Sequence, residues 1–226
     1  MTDNPKHPIE DIGFPHGREV WQRAPIVLDA EHLEILGHPV MQSWEAPYMK
    51  ALARIATSRG GRVLEVGYGM GISAAAIQEA DLDAHVVVEA NIDVYRHLLQ
   101  FAAGARRPLQ AILGFWEDIV PSFADGSFDG ILFDPYPITT EQLYGQRFSF
   151  FSQARRLLRP GGVFTHYAGE TEFTTEYRHH IQASGPWVLE GSLICVSPPA
   201  ECIYWTQNRI LAPTFLKVHD CQEVSR

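Results

Sequence analysis

The stretch Arg62-Val63-Leu64-Glu65-Val66-Gly67-Tyr68-Gly69-Met70-Gly71 restricts what this chain can fold into more than any other. Val63, Leu64 and Val66 form a short apolar run of the kind buried in a parallel sheet, and the run stops at three glycines spaced two apart. The residues after it, Ile72 to Ala80, are alanine-rich and predict a helix. A strand that passes through glycines into a helix N-terminus makes a nucleotide pocket, because backbone without Cβ atoms lets a ligand come close. Spacing then discriminates between nucleotides. A dinucleotide fingerprint needs its third glycine three positions after the second, and Ile72 stands there. An NAD-dependent dehydrogenase is therefore disfavoured. The acid Glu65 beside the loop suits a ligand with a cationic amino-acid end and is poorly placed for a pyrophosphate.

With 226 residues and 46% apolar content, the chain can bury one full α/β core. A formal charge of −9, with no basic stripe to offset it, argues against a nucleic-acid partner. Cys195, Cys202 and Cys221 are an odd set without metal-ligand spacing, so no metal is expected and a reduced, cytoplasmic compartment is the simple reading. The ten histidines are scattered, no apolar stretch reaches membrane length, and residues 1–17 do not read as a signal peptide. The chain is expected to be a monomer or homodimer.

Residues 1–27 predict an irregular arm, with Pro5, Pro8, Pro15 and Pro25 spread along it and Trp21 as its large anchor. Residues 28–226 predict one domain. Within it, Leu28, Leu33, Ile35 and Leu36 suggest a short helix closed by Gly37 and Pro39, and a second helix runs from Gln42 or Ser43 to Ser58 before Gly60–Gly61. Strands are expected at 62–66, 84–88, 109–113, 128–133 and 163–167. Helices separate them, one capped by Asn91 and one by Thr139 or Thr140, and Arg159 to Gly162 forms a turn. A weaker helix at 171–183 precedes extended runs at 187–196 and 202–211, joined through Pro198–Pro199 as an antiparallel hairpin. The sum is a doubly wound, mostly parallel seven-stranded sheet ending in that hairpin.

In such a sheet, ligands sit at the carboxyl ends of the strands, and polar residues cluster there: Gly67 to Gly71, Glu89, Glu117 and Asp134. Glu89, ending the second strand, can accept hydrogen bonds from both ribose hydroxyls. Trp116 and Glu117 fall where an adenine face and its exocyclic amine would lie, although Trp116 equally suits plain core. Asp134 and Glu45 remain as carboxylates without a cofactor role. Two acids converging on one acceptor suit a planar guanidinium, whose donor fork carboxylates grip bidentately. Pro135 and Pro137 around Tyr136 stiffen the backbone into a substrate wall.

The pattern Glu65-x-Gly67-x-Gly69-x-Gly71 resembles the first motif of doubly wound S-adenosylmethionine-dependent methyltransferases. The block Met41-x-x-Trp44-Glu45-x-Pro47-Tyr48-Met49 is more specific. Together with Trp116-Glu117-Asp118, Phe128-Asp129-Gly130-Ile131-Leu132-x-Asp134-x-Tyr136-Pro137, Leu157-Leu158-x-Pro160-Gly161-Gly162-Val163 and Pro198-Pro199-Ala200-x-Cys202-x-Tyr204, it resembles the guanidinoacetate N-methyltransferase family. The likeness is dense over residues 20–167 and looser over 196–215. It implies S-adenosyl-L-methionine as cofactor, with S-adenosyl-L-homocysteine as product, and a small guanidino substrate, guanidinoacetate first. It implies Glu45 and Asp134 as guanidinium-binding and catalytic carboxylates, Tyr136 and Trp21 as substrate contacts, and Met41, Met49, Glu65, Gly67, Gly69, Met70, Gly71, Glu89, Trp116, Glu117 and Asp134 as cofactor contacts. Where the family holds the substrate carboxylate in a Leu-Thr cradle, Gly169 and Glu170 align. Glutamate there would repel an acetate tail, so either the acceptor is a different guanidino compound, longer or amine-bearing, or Glu170 points to solvent. Arginine or an arginine-derived metabolite would fit the same acids, whereas the stiff wall and covering arm disfavour a protein side chain. A non-catalytic S-adenosylmethionine-binding protein would not need Glu45, Asp134 and Tyr136.

Overall fold

In the computed structural model, residues 8–14 and 17–218 are described; Pro5, Pro15 and Cys221 lie outside them. Strands β4 (Arg62–Val66), β5 (Ala84–Glu89), β6 (Leu109–Leu113), β7 (Phe128–Phe133), β8 (Leu158–His166), β9 (Trp187–Cys195) and β10 (Arg209–Lys217) form a seven-stranded sheet in the order β6-β5-β4-β7-β8-β10-β9. The first five are parallel, and β10 runs antiparallel to both β8 and β9. Helices α3 (Ile72–Ile77), α4 (Ile92–Ala103), α5 (Trp116–Ile119), α6 (Thr140–Leu157) and α7 (Thr175–Ala183) connect them, with α1 (Arg18–Arg23) and α2 (Ala46–Thr57) before the sheet. Successive side chains of β4, β5 and β7 enter opposite cores: Val63, Val87 and Leu132 on the face of α2, and Leu64, Val86 and Ile131 on the face of α6. Burial on both faces is why these strands are mostly apolar rather than alternating, with Glu65, His85 and Asp129 among the buried exceptions.

The expected strands, the Asn91 cap and the Thr139 cap all form. Asn91 Oδ1 accepts from the Asp93 and Val94 amides and Thr139 Oγ1 from that of Gln142. Three expectations change. No helix forms across 28–36: a three-stranded sheet, β1 (Ile26–Leu28), β2 (His32–Ile35) and β3 (His38–Gln42), stands there instead. Leu33 and Ile35 are buried at a period of two, and Leu36 and Gly37 take positive φ values of 53° and 80°, the two-residue turn that fits twisted strands. β1 also straddles the expected arm boundary at residue 27. Second, the turn at Arg159 to Gly162 is absorbed into β8, which starts at Leu158 and shifts register beside Phe128. Third, the last strand is Arg209–Lys217, and residues 202–208 form a loop over the cavity described below. The weaker helix begins at Thr175, capped by Thr174.

Candidate active site

The strand ends of the parallel sheet stay in register past their last residues. Gly67 N–H donates to Val88 O at 2.9 Å, Gly114 N–H to Glu89 O at 2.8 Å and Asp134 N–H to Val66 O at 2.8 Å. This alignment sets the glycine loop, Glu89, Gly114 and Asp134 side by side on the rim of a cavity of about 520 Å³. The small sheet forms its other wall with Leu33, Ile35, Val40 and Met41, and β3 runs directly into the turn that lowers Glu45 into the cavity.

Glycine is required at Gly67. Its φ is 89°, and a Cβ would lie 2.4 Å from the Asp134 carbonyl oxygen. At Gly69 a Cβ would meet the Met41 thioether at 2.9 Å, and the Met70 amide donates to that same sulfur at 3.4 Å. The bare backbone of Gly67 and Gly69 thus lies between Met41 and Glu89 on the cavity wall. Glu89 is 8% exposed and accepts the Tyr68 and Asn91 amides, one on each oxygen, at 2.9 and 2.7 Å. Burial raises its pKa and the amides pull it back.

Glu45 is 3% exposed. Its Oε1 accepts from the Gln42 amide at 2.8 Å and the Tyr204 hydroxyl at 2.7 Å. Burial drives its pKa up to about 7, against these two donors. Asp134 also borders the cavity, and its pKa stands well above the ordinary value through burial first, then the charges of Glu45 and Glu65. Trp21, 3% exposed, stacks on Tyr136 with centroids 5.3 Å apart and planes at 7°. The arm is held by Asn91 Nδ2, which donates to the Trp21 and Ala24 carbonyls, and by Arg18, which forks onto Asp118 at 3.1 and 2.7 Å.

Trp21, Met41, Glu45, Gly67, Gly69, Glu89, Trp116, Glu117, Asp134, Tyr136 and Gly169 all line the cavity. Trp116 does so while packing edge-on against Phe133 and Phe150, so it is both wall and core. Five expected residues do not reach it. Met49 sits fully buried on the inward stripe of α2 with Leu52 and Ala56. Glu65 is fully buried with Oε2 3.0 Å from His85 Nε2, so it acts on the site through its field on Asp134. Met70 contributes its backbone to the loop. Gly71, with φ 75°, starts α3, and a Cβ there would strike the Tyr68 hydroxyl at 2.5 Å. Glu170 turns neither to solvent nor directly into the cavity: it pairs with Arg147 at 2.5 Å, both side chains 22% exposed. Arg147, Tyr167 and Tyr204 line the cavity without having been singled out for a role. Tyr204 meets Glu45 across 159 positions, and no local pattern marks such a contact.

The fold is shared with spermidine synthase from Thermotoga maritima, with a TM-score of 0.63 at 15% identity over 88% of this chain and 74% of that one. It is shared also with the O-methyltransferase TomG from Streptomyces achromogenes, solved with S-adenosylmethionine, with a TM-score of 0.56 at 16% identity over 80% and 83%. These likenesses show the doubly wound, Rossmann-like fold. Among sequence relatives, protein arginine N-methyltransferase 2 of Aspergillus oryzae is 33% identical over 133 residues, 58% of this chain and 32% of that one. Its counterpart in Saccharomyces cerevisiae is 25% identical over 138 residues, again 58% and 32%. The chain thus spans about a third of the length of the curated relatives it matches. The guanidinoacetate N-methyltransferase model matches residues 14–182, and the chain belongs to that family.

Proposed function

We propose that this chain methylates a guanidino nitrogen of a small molecule, with guanidinoacetate the leading acceptor. One observation carries the reading: Glu45 and Asp134 border a single buried cavity next to the glycine cradle, and the charge of Glu45 presses on Asp134. Two acids held in a low-dielectric pocket are relieved by a cation between them, and a flat guanidinium presents donors to both.

Bound S-adenosylmethionine supplies an electrophilic methyl on a sulfonium and leaves as S-adenosylhomocysteine. Gly67 and Gly69 would cradle it, Glu89 would take its ribose hydroxyls, Met41 would flank it, and Trp116 with Glu117 would border its base. The chain's own chemistry concerns a proton. A guanidinium has no free lone pair and ionises only at roughly 12.5 to 13.8, so the proton leaves the attacking nitrogen as its bond to the methyl carbon forms. Asp134 receives it; its raised pKa matches that task better than an ordinary carboxylate would. Glu45, held by Gln42 and Tyr204, grips the other edge of the fork and fixes the nitrogen in place.

The curated relatives are named for arginine in proteins, a second acceptor with the same guanidino group. The stacking of Trp21 on Tyr136 over the cavity favours an acceptor small enough to be enclosed. Incubation with cofactor and guanidinoacetate, arginine, agmatine or an arginine-containing peptide, read by mass spectrometry, tests this. Methylation of the free compounds supports the reading, and methylation of the peptide alone overturns it.

A further inference from the structure

The cavity has an uneven distribution of charge. Glu45, Glu89, Glu117 and Asp134 line it, and among its described residues Arg147 is the one basic side chain. The order of the strand ends locates this cation. The glycine loop and Glu89 follow β4 and β5 on one side of Asp134; Gly169 and Glu170 follow β8 on the other, and α6, which carries Arg147, is the crossover between β7 and β8. Arg147 pairs with Glu170, which follows β8, and so lies on the β8 side of Asp134.

It is also held in place. Glu170 accepts from its Nη2 at 2.5 Å, the Phe148 and Tyr177 rings lie 4.7 and 5.7 Å from its guanidinium carbon, and Leu211 N–H pins the Glu170 carbonyl at 2.7 Å. Arg147 Nε and Glu170 Oε2 are buried without a hydrogen-bond partner. His166, next to this cluster, is kept neutral by burial and by the Arg147 charge, so it adds no second cation near pH 7. A guanidinium has five donors, and one glutamate oxygen uses few of them.

We propose that Arg147 is the specificity-determining residue of the acceptor subsite, gripping a carboxylate carried by the guanidino substrate, with Glu170 as its positioning residue. The proposal rests on the guanidino-methyltransferase reading. It answers the apparent conflict at position 170: the acid does not face a substrate tail as a bare charge, because Arg147 neutralises it and carries the recognition. A molecule with a guanidinium at one end and a carboxylate at the other then matches the cavity's charges at both ends, whereas an acceptor without the acid leaves Arg147 donors desolvated and unpaired.

The test compares wild type, Arg147→Gln and Arg147→Lys on guanidinoacetate, on ethylguanidine, which lacks the acid, and on agmatine, which carries an amine instead. Arg147→Gln should lower kcat/KM for guanidinoacetate by about 10- to 100-fold, mainly through KM, as for a lost charge-assisted contact. The kcat/KM for ethylguanidine should fall far less than that for guanidinoacetate, or rise, and the KM for S-adenosylmethionine should not change. Arg147→Lys should recover part of the loss, having the charge without the fork. Equal losses on guanidinoacetate and ethylguanidine, a raised KM for the cofactor, or a wild-type preference for agmatine would each overturn this subsite while leaving guanidino methylation standing. If wild type methylates none of the three and not free arginine either, the underlying reading fails and the subsite with it.

Discussion

Replacing Glu45 with glutamine should stabilise the protein while disabling it. The carboxylate has a pKa of about 7 in the fold against an ordinary 4.5. Between those values the folded state binds a proton that the unfolded chain has released, so stability falls as pH rises through the window and the full cost is present above pH 7. That cost is on the order of 3 kcal/mol. The Gln42 amide and the Tyr204 hydroxyl both donate to Oε1, where an amide oxygen can take over; the Tyr167 hydroxyl also favours the ionised form. The new NH2 group needs partners of its own, which reduces the gain to about 1–3 kcal/mol. For a chain of this length that is a rise in Tm of ~3 to 10 °C. Thermal unfolding without cofactor at pH 8 measures it. Repeating the scan at pH 5, where the folded wild-type carboxyl is protonated, should remove most of the difference. Methyl transfer should fall at least about 100-fold, since a neutral amide cannot grip a cation as a carboxylate does. A Tm that is unchanged or lower at pH 8, or a rise of equal size at both pH values, would refute the assignment of Glu45 as a desolvated acid held ready for a cation.

Asp134→Asn should keep cofactor binding, measured by calorimetry, and lose about 10²- to 10⁴-fold in kcat, because the proton has no acceptor; turnover near wild type would remove Asp134 from that role. In wild type, kcat/KM for the acceptor should fall as pH drops below about 7, where Glu45 protonates. Tyr204→Phe removes a donor that stabilises the ionised form and should move that acid limb up by about one pH unit, and an unmoved limb would show that the hydroxyl does not tune the acid. Trp21→Ala deletes a buried ring stacked on Tyr136, a change worth about 3–5 kcal/mol in a packed site. Acceptor KM should rise and limited proteolysis should cut within residues 17–25 faster than in wild type.

Much of the fold was legible because its signals are local. The runs at 62–66, 84–89 and 128–133 are mostly apolar since both faces of a parallel sheet are covered, and Asn91 and Thr139 cap helices by bonding their own neighbours. Gly67 is a backbone requirement that can be read one residue at a time. The segment at 28–36 was not legible in this way, because its four large apolar residues fit a helical period as well as alternation, and pairing with β3 decided for strands. The direction of a side chain is harder still. Met49 and Glu45 lie in one motif, yet α2 turns the first into the core and the preceding turn lowers the second into the cavity.

What the sequence alone determined is the nucleotide-binding class, through the spacing of three glycines after Glu65, and the presence of two further acids, Glu45 and Asp134, outside that motif. Tertiary structure alone decided their electrostatics. Glu45 is pushed up to about 7 because distant elements close over it, with Tyr204 from the C-terminal loop pulling it partly back, and Glu170 is paired because α6 brings Arg147 against it. Desolvation and pairing depend on which segments meet in space, and spacing along the chain carries no record of that.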